Sequence, residues 1–332
     1  MPFADPLRRS VRELVLVVVT VVWGATFLVT QIGLGDAGPF GLVAARFGIG
    51  AITLFVLFRH RMRGLQRSDY HAGLVIGVAT FASYAFQTMG LLHIASSRSA
   101  FITALYVPAV PILQLVLLGR APRISAWLGI SVSFLGLLIL SSGEGLGTRF
   151  GLGEALTLGG AVTAALQIVL ISRYAPGADP MRIGFTQLAV VALCALVAMP
   201  IAGESIPEPT PALLIAVTSL GVLGTAFALG AMNWAQQTVS ATRATVIYAL
   251  EPVWGGLFGA LAGELITTST LIGSGFIVLG VLISSLRPAI FRRAPPSGSS
   301  KLEPQTPRGV HSPARKPRRR GLGGPDRTAD GD

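Results

Sequence analysis

Charge is what this sequence has least of. Asp, Glu, Lys and Arg make up 12% of its 332 residues, where a soluble domain carries about 25%. Its one cysteine, Cys194, stands in an apolar run, which excludes an intrachain disulfide and multi-cysteine metal sites. The four histidines (His60, His71, His93 and His311) fall in loops, near helix ends or in the tail, and none belongs to an HExxH zinc pair. The glycine-rich stretch at 143–153 has no Gly-Lys-Ser/Thr ending and follows no strand, so it is not a phosphate-binding loop. Nor do apolar and polar residues alternate over about ten positions, as a membrane β-barrel requires.

What the chain has is apolar length: it is 52% hydrophobic, with a mean hydropathy of +0.66. Runs of about 20 apolar residues recur, long enough as helices to cross a hydrocarbon core of about 30 Å. Spans are predicted at 13–33, 38–58, 71–92, 97–118, 124–142, 152–172, 180–200, 211–233, 242–262 and 269–287. Short loops rich in Gly, Pro and Asp separate them. The basic start (Arg8, Arg9, Arg12) precedes an apolar stretch too long for a signal peptide, with no convincing cleavage site after it. The expectation is an all-α integral membrane protein with ten transmembrane helices.

The second half repeats the first. Moved back 144 positions without a gap, residues 240–286 fall on 96–142 with 13 identities in 47 positions. Among them are Pro108/Pro252, Gly119/Gly263, Gly129/Gly273 and Gly136/Gly280. The earlier part of each unit aligns at an offset of 141, where Pro39 meets Pro180 and Arg46 meets Gln187. Five helices per unit is an odd number, so the second copy must enter the membrane from the opposite side. Two inverted five-helix repeats, an arrangement used by many secondary transporters, are therefore expected. The organisation reads as a short N-terminus (1–12), a first repeat (13–142), a linker (143–151), a second repeat (152–287) and a tail (288–332).

Arginines in alternate loops set the orientation. Arg59, Arg61, Arg63 and Arg67, then Arg120 and Arg123, then Arg173 and Arg182, then Arg243 share a side with both termini, with Arg98 and Arg149 as exceptions. Both termini are predicted cytoplasmic, in a multi-pass protein of the cell membrane. Much of the net charge of +11 comes from the tail: from Arg287 onward it holds 11 Lys/Arg against four acids. A disordered basic tail of this kind suits anionic lipid headgroups rather than nucleic acid.

Ionisable residues inside spans cost about 2.5–3.5 kcal/mol each on the insertion scale and are rarely idle. Arg46 and Glu251 stand at mid-span. Pro252, which follows Glu251, lacks an N–H and frees a carbonyl one turn earlier, weakening the helix there. Glu251 reads as a cavity carboxylate that binds a cationic group or a proton, or as a structural Glu; the first copy has Val107 at this position. Arg46 reads as a counter-charge to an anionic substrate group or a neighbouring carboxylate, or as a snorkelling residue or structural ion pair. Tyr248, Glu251 and Trp254, three apart, predict a polar-aromatic stripe on one helical face. Trp23, Tyr84, Gln87, Tyr106 and Asn233 are further candidates for a cavity lining, as are Gln31, Gln114, Gln167 and Trp234. Gly255, Gly259 and Gly263 form a small-residue row for close helix packing. Arg120 and Glu264 are matched helix-end charges, read as anchors or gating-side groups.

These residues resemble a known family. WGATF at 23–27, Pro39 followed by Arg46, ASSRSAFITALYVPAVPIL at 95–113, ALEPVWGGLFGALAGE at 249–264 and LIGSGFIVLGVLISS at 271–285 look like EamA-type members of the drug/metabolite transporter superfamily. The resemblance covers roughly residues 12–287. It implies ten helices in two inverted repeats around a central cavity, and a carrier, often an exporter of amino acids, related metabolites or drugs. Where a Glu commonly closes the fourth helix, this chain has Arg120; the second repeat keeps Glu264.

The function expected is therefore a secondary transporter, an exporter of small metabolites or drugs, that works by alternating access, with Glu251 serving proton coupling or amine recognition, Tyr248 and Trp254 shaping the site and Arg46 as counter-charge. No cofactor, metal or catalytic residue is expected, and the carrier would act as a monomer or homodimer. A membrane enzyme would need a cluster of Asp, Glu or His at the membrane face, which the loops lack. A passive channel or a non-transporting scaffold is the alternative.

Overall fold

The computed structural model describes residues 6–94, 96–119, 121, 124–142, 151–261 and 268–285. Arg120, Gly263, Glu264, residues 143–150 and the basic tail, on which parts of the sequence reading rest, lie outside them. Among the described residues every regular element is helical. Three long helices come first: α1 (Pro6–Gly33), α2 (Pro39–Met62) and α3 (Arg67–Gly90). The fourth span is split into α4 (Ser96–Thr103) and α5 (Tyr106–Leu118), and α6 (Ile124–Ser142) follows. The second half opens with α7 (Leu152–Tyr174) and α8 (Pro180–Ile201). Its next span joins α9 (Pro211–Ser219), a π-helical segment (Leu220–Phe227) and α10 (Ala228–Ala235). The ninth span is split into α11 (Ala241–Tyr248) and α12 (Glu251–Leu261), and α13 (Thr268–Ser285) closes the described chain.

Seven helical runs among the described residues are long and apolar enough to cross a membrane, by length and composition. Three shorter apolar helices, Tyr106–Leu118, Trp127–Gly136 and Leu271–Gly280, complete the predicted ten. Local chemistry explains where they start. Pro39, Pro180 and Pro211 open their helices, at the position where a missing N–H costs nothing. The Asp179 carboxylate accepts from the Met181 and Arg182 amides, and the Thr210 hydroxyl accepts from Leu213 N.

The two split spans break at matched places. Pro108 and Pro252 cannot donate to the carbonyls four residues back, and the backbone tightens into three-residue turns instead. Val107 N donates to Ala104 O at 2.9 Å, and Leu250 N donates to Ile247 O at 3.0 Å. The expected stripe of Tyr248, Glu251 and Trp254 is consequently not one helical face, because the break at Ala249 and Leu250 separates Tyr248 from the other two.

The halves interlock instead of standing side by side. The most extensive packing joins α6 to α13, α3 to α7 and α8, and α2 to α8 and the π segment, always across the halves. Against α13, rising positions on α6 meet falling ones, so the two helices run antiparallel. A Cβ added at Gly136 would lie 2.6 Å from Gly273 O, and one at Gly280 would lie 2.5 Å from Gly129 O. Between these contacts Ser133 Oγ donates to Ile277 O at 3.4 Å. Gly273 and Gly280 are the repeat partners of Gly129 and Gly136, so each contact is the mirror of the other, as a two-fold relation produces.

Candidate functional site

A cavity of about 50 Å³ lies within the bundle. Four helical faces supply most of its wall: Trp23, Thr26 and Phe27 on α1; Ser83, Tyr84 and Gln87 on α3; Ala164, Gln167 and Ile168 on α7; and Met232 on α10. Thr103, Tyr106 and Glu251 come from the two helix breaks. Glu251 is the one charged residue among the lining residues.

The breaks explain how Glu251 is held. It is the first residue of α12 and is only 8% exposed. Tyr106, first residue of α5, donates its hydroxyl to Glu251 Oε2 at 3.2 Å. Each copy thus contributes one partner, the first residue after its break, although the two stand one position apart in the repeat register. Nearby, Gln87 Nε2 donates to Thr103 Oγ1 at 3.2 Å, and Trp23 Nε1 donates to Gly224 O at 3.2 Å in the π segment. A desolvated carboxylate with one hydroxyl donor and no cation among the described residues can accept a proton or a cationic group.

Of the thirteen candidates, Trp23, Tyr84, Gln87, Tyr106, Gln167 and Glu251 line the cavity. Gln31, Gln114, Trp234, Tyr248, Trp254, Asn233 and Arg46 are not among its lining residues. Tyr248 is fully buried beside it, its ring 5.4 Å from Trp23 and its hydroxyl accepting from Gln236 Nε2 at 3.4 Å. Trp254 Nε1 donates to Thr20 Oγ1 at 3.1 Å. Asn233 Nδ2 donates to Gln187 Oε1 and Leu229 O, both at 2.9 Å.

Arg46 is 2% exposed, and among the described residues it makes no ion pair with a carboxylate. Its Nε donates to Thr225 Oγ1 at 3.2 Å, and its guanidinium carbon lies 4.9 Å from the Tyr84 ring centroid. The NH2 group has no hydrogen-bond partner among the described residues.

Sequence reasoning missed Thr26, Phe27, Ser83, Thr103, Ala164, Ile168 and Met232. Helical spacing carried a signal for some of them. Thr26 and Phe27 are three and four residues after Trp23, and Ala164 is three before Gln167. The π segment had no such signal, since its sequence LGVLGTAF reads as ordinary apolar helix.

The model of the EamA-like transporter family matches residues 12–142 and 151–286. An "Uncharacterized transporter" of Archaeoglobus fulgidus is 31% identical over 286 residues, spanning 86% of this chain and 89% of its own length. The "Uncharacterized inner membrane transporter YedA" of Escherichia coli is 28% identical over 285 residues, spanning 83% and 90%. A solved crystal structure with 20% sequence identity superposes with a TM-score of 0.69 over 83% of this chain and 96% of that one, a likeness of fold. With both halves matched and the relatives covered nearly end to end, the chain is a multi-pass membrane protein belonging to the EamA-like transporter family.

Proposed function

We propose that this chain is a secondary transporter that exports small metabolites or drugs by alternating access, coupled to protons through Glu251, and that it has no enzymatic activity. The observation that carries the reading is the Tyr106–Glu251 contact, made at the matched breaks of the two halves and facing a cavity. A helix interrupted within a membrane is tolerated where it lines such a cavity. The antiparallel, reciprocal contact of α6 and α13 supports two inverted repeats with boundaries at 13–142 and 152–287. One half would rock against the other around the cavity, which must widen to admit a solute, since about 50 Å³ holds only a few waters. Both termini are assigned to the cytoplasm, and the basic tail to anionic headgroups.

The test is transport in proteoliposomes with an imposed pH gradient, screening amino acids, nucleosides, cationic drugs and sugars. Glu251→Gln keeps the shape and a hydrogen-bond acceptor for Tyr106 but removes the titratable charge. Proton-driven accumulation is expected to fall at least about tenfold, in line with the roughly 1.5–3 kcal/mol of a hydrogen bond to a charged group. Unchanged rate and pH dependence would show that Glu251 has no coupling role. Equilibration without accumulation in the wild type would favour a passive channel.

A further inference from the structure

Arg46 holds a position that the fold does not need a cation to fill. Its repeat partner, Gln187, is neutral and well satisfied: Nε2 donates to Thr80 Oγ1 at 2.8 Å, and Oε1 accepts from Asn233. Arg46 makes the equivalent bond to Thr225, across the halves in the opposite sense. Beyond that one bond it keeps a buried NH2 group with no hydrogen-bond partner among the described residues. An unpaired guanidinium in a bilayer interior is costly, and the second copy shows that a neutral amide can make the same clamp.

Two features place that donor one residue layer from the cavity. The Tyr84 ring, which lines the cavity, also carries the guanidinium at 4.9 Å. Gly224 separates the NH2 group from Thr26 of the cavity wall: a Cβ there would lie 3.4 Å from Arg46 NH2 and 2.7 Å from Thr26 Cγ2. Any larger residue would thicken this layer. Gly224 and Thr225 also lie in the π segment, a local distortion of the kind often found at functional sites.

We infer that Arg46 is the receptor for a carboxylate on the transported solute, reached from the cavity when the Tyr84 ring moves aside. The inference rests on the chain moving a solute through this cavity. A planar guanidinium fits a carboxylate closely and strongly. A doubly charged phosphate is the poorer match, because the cavity lining holds no second cation. Glu251 then faces the rest of the solute or carries the coupling proton.

The test uses purified full-length protein in lipid nanodiscs, with thermal stabilisation as the measure of binding. The probes are matched acid and amide pairs, 4-methylpentanoate with 4-methylpentanamide and 3-phenylpropanoate with 3-phenylpropanamide, with 3-methylbutylamine as a cationic control. At least one acid is expected to bind about tenfold or more tightly than its amide. Arg46→Gln, which installs the side chain the second copy uses, should bring that ratio to near one while leaving any response to the amine unchanged. Arg46→Lys should restore part of the ratio, since it keeps the charge but not the planar fork. Failure of both acids to bind better than their amides would overturn the inference, as would an unchanged ratio in Arg46→Gln. Because the readout is binding preference and not proton-driven accumulation, it can fail or succeed independently of the Glu251 transport test.

Discussion

The same clamp is built twice in this molecule, once with an amide and once with a cation. In one, Gln187 of α8 reaches Thr80 of α3 and is tied further to Asn233; in the other, Arg46 of α2 reaches Thr225 of the π segment, lies over the Tyr84 ring and makes no further side-chain hydrogen bond among the described residues. The breaks differ in the same way, with Val107 in one copy and Glu251 in the other. Where the copies agree, at the prolines and glycines, they describe a scaffold. Where they differ, they place one positive and one negative charge beside a single cavity.

The sharpest way to break the comparison is to remove the threonine from each clamp. Thr225→Val removes the hydrogen bond that the described residues give the Arg46 guanidinium and should destabilise the protein by about 1.5–3 kcal/mol. Thr80→Val leaves a neutral amide nitrogen unsatisfied and should cost nearer 1 kcal/mol. Thermal unfolding in detergent checks this, and equal effects would mean that the charge at position 46 is compensated in a way these contacts do not reveal. A second comparison tests the reciprocal seam. Gly136→Ala and Gly280→Ala each force a methyl group against a carbonyl of the facing helix, and each should cost about 1–3 kcal/mol by overpacking. A two-fold relation requires the two costs to be alike, so a large inequality argues against it. The smallest effect is expected at the surface. Arg61 and Asp179 lie 3.3 Å apart with 55% and 21% of their side chains exposed, and Arg61→Ala should cost less than about 1 kcal/mol.

The scaffold was largely legible in the sequence because its signals are local. Apolar length gave the spans, Pro39 and Pro180 gave helix starts, and Pro252 marked a weak point where the structure has a break. The shared glycines of the sixth and thirteenth helices gave the repeat. The site was legible only in part, because its geometry comes from residues far apart in sequence. Nothing near Glu251 names Tyr106 as its donor, and nothing near Arg46 names Thr225, 179 positions away. The stripe of Tyr248, Glu251 and Trp254 failed for a related reason. Spacing of three implies a shared face only in a continuous helix, and the proline that drew attention to Glu251 also ends that continuity.

The interlocking of the halves has a consequence for biosynthesis. When the ribosome has inserted the first five helices, Arg46 is already in the membrane, while Thr225 is still tens of residues from being made. Thr80 waits likewise for Gln187, and Tyr106 for Glu251. The nascent first half must therefore hold polar side chains in lipid without their final partners until most of the chain has been synthesised. A chain cut at the junction should be captured by membrane quality control, and supplying the missing half as a separate polypeptide should rescue it.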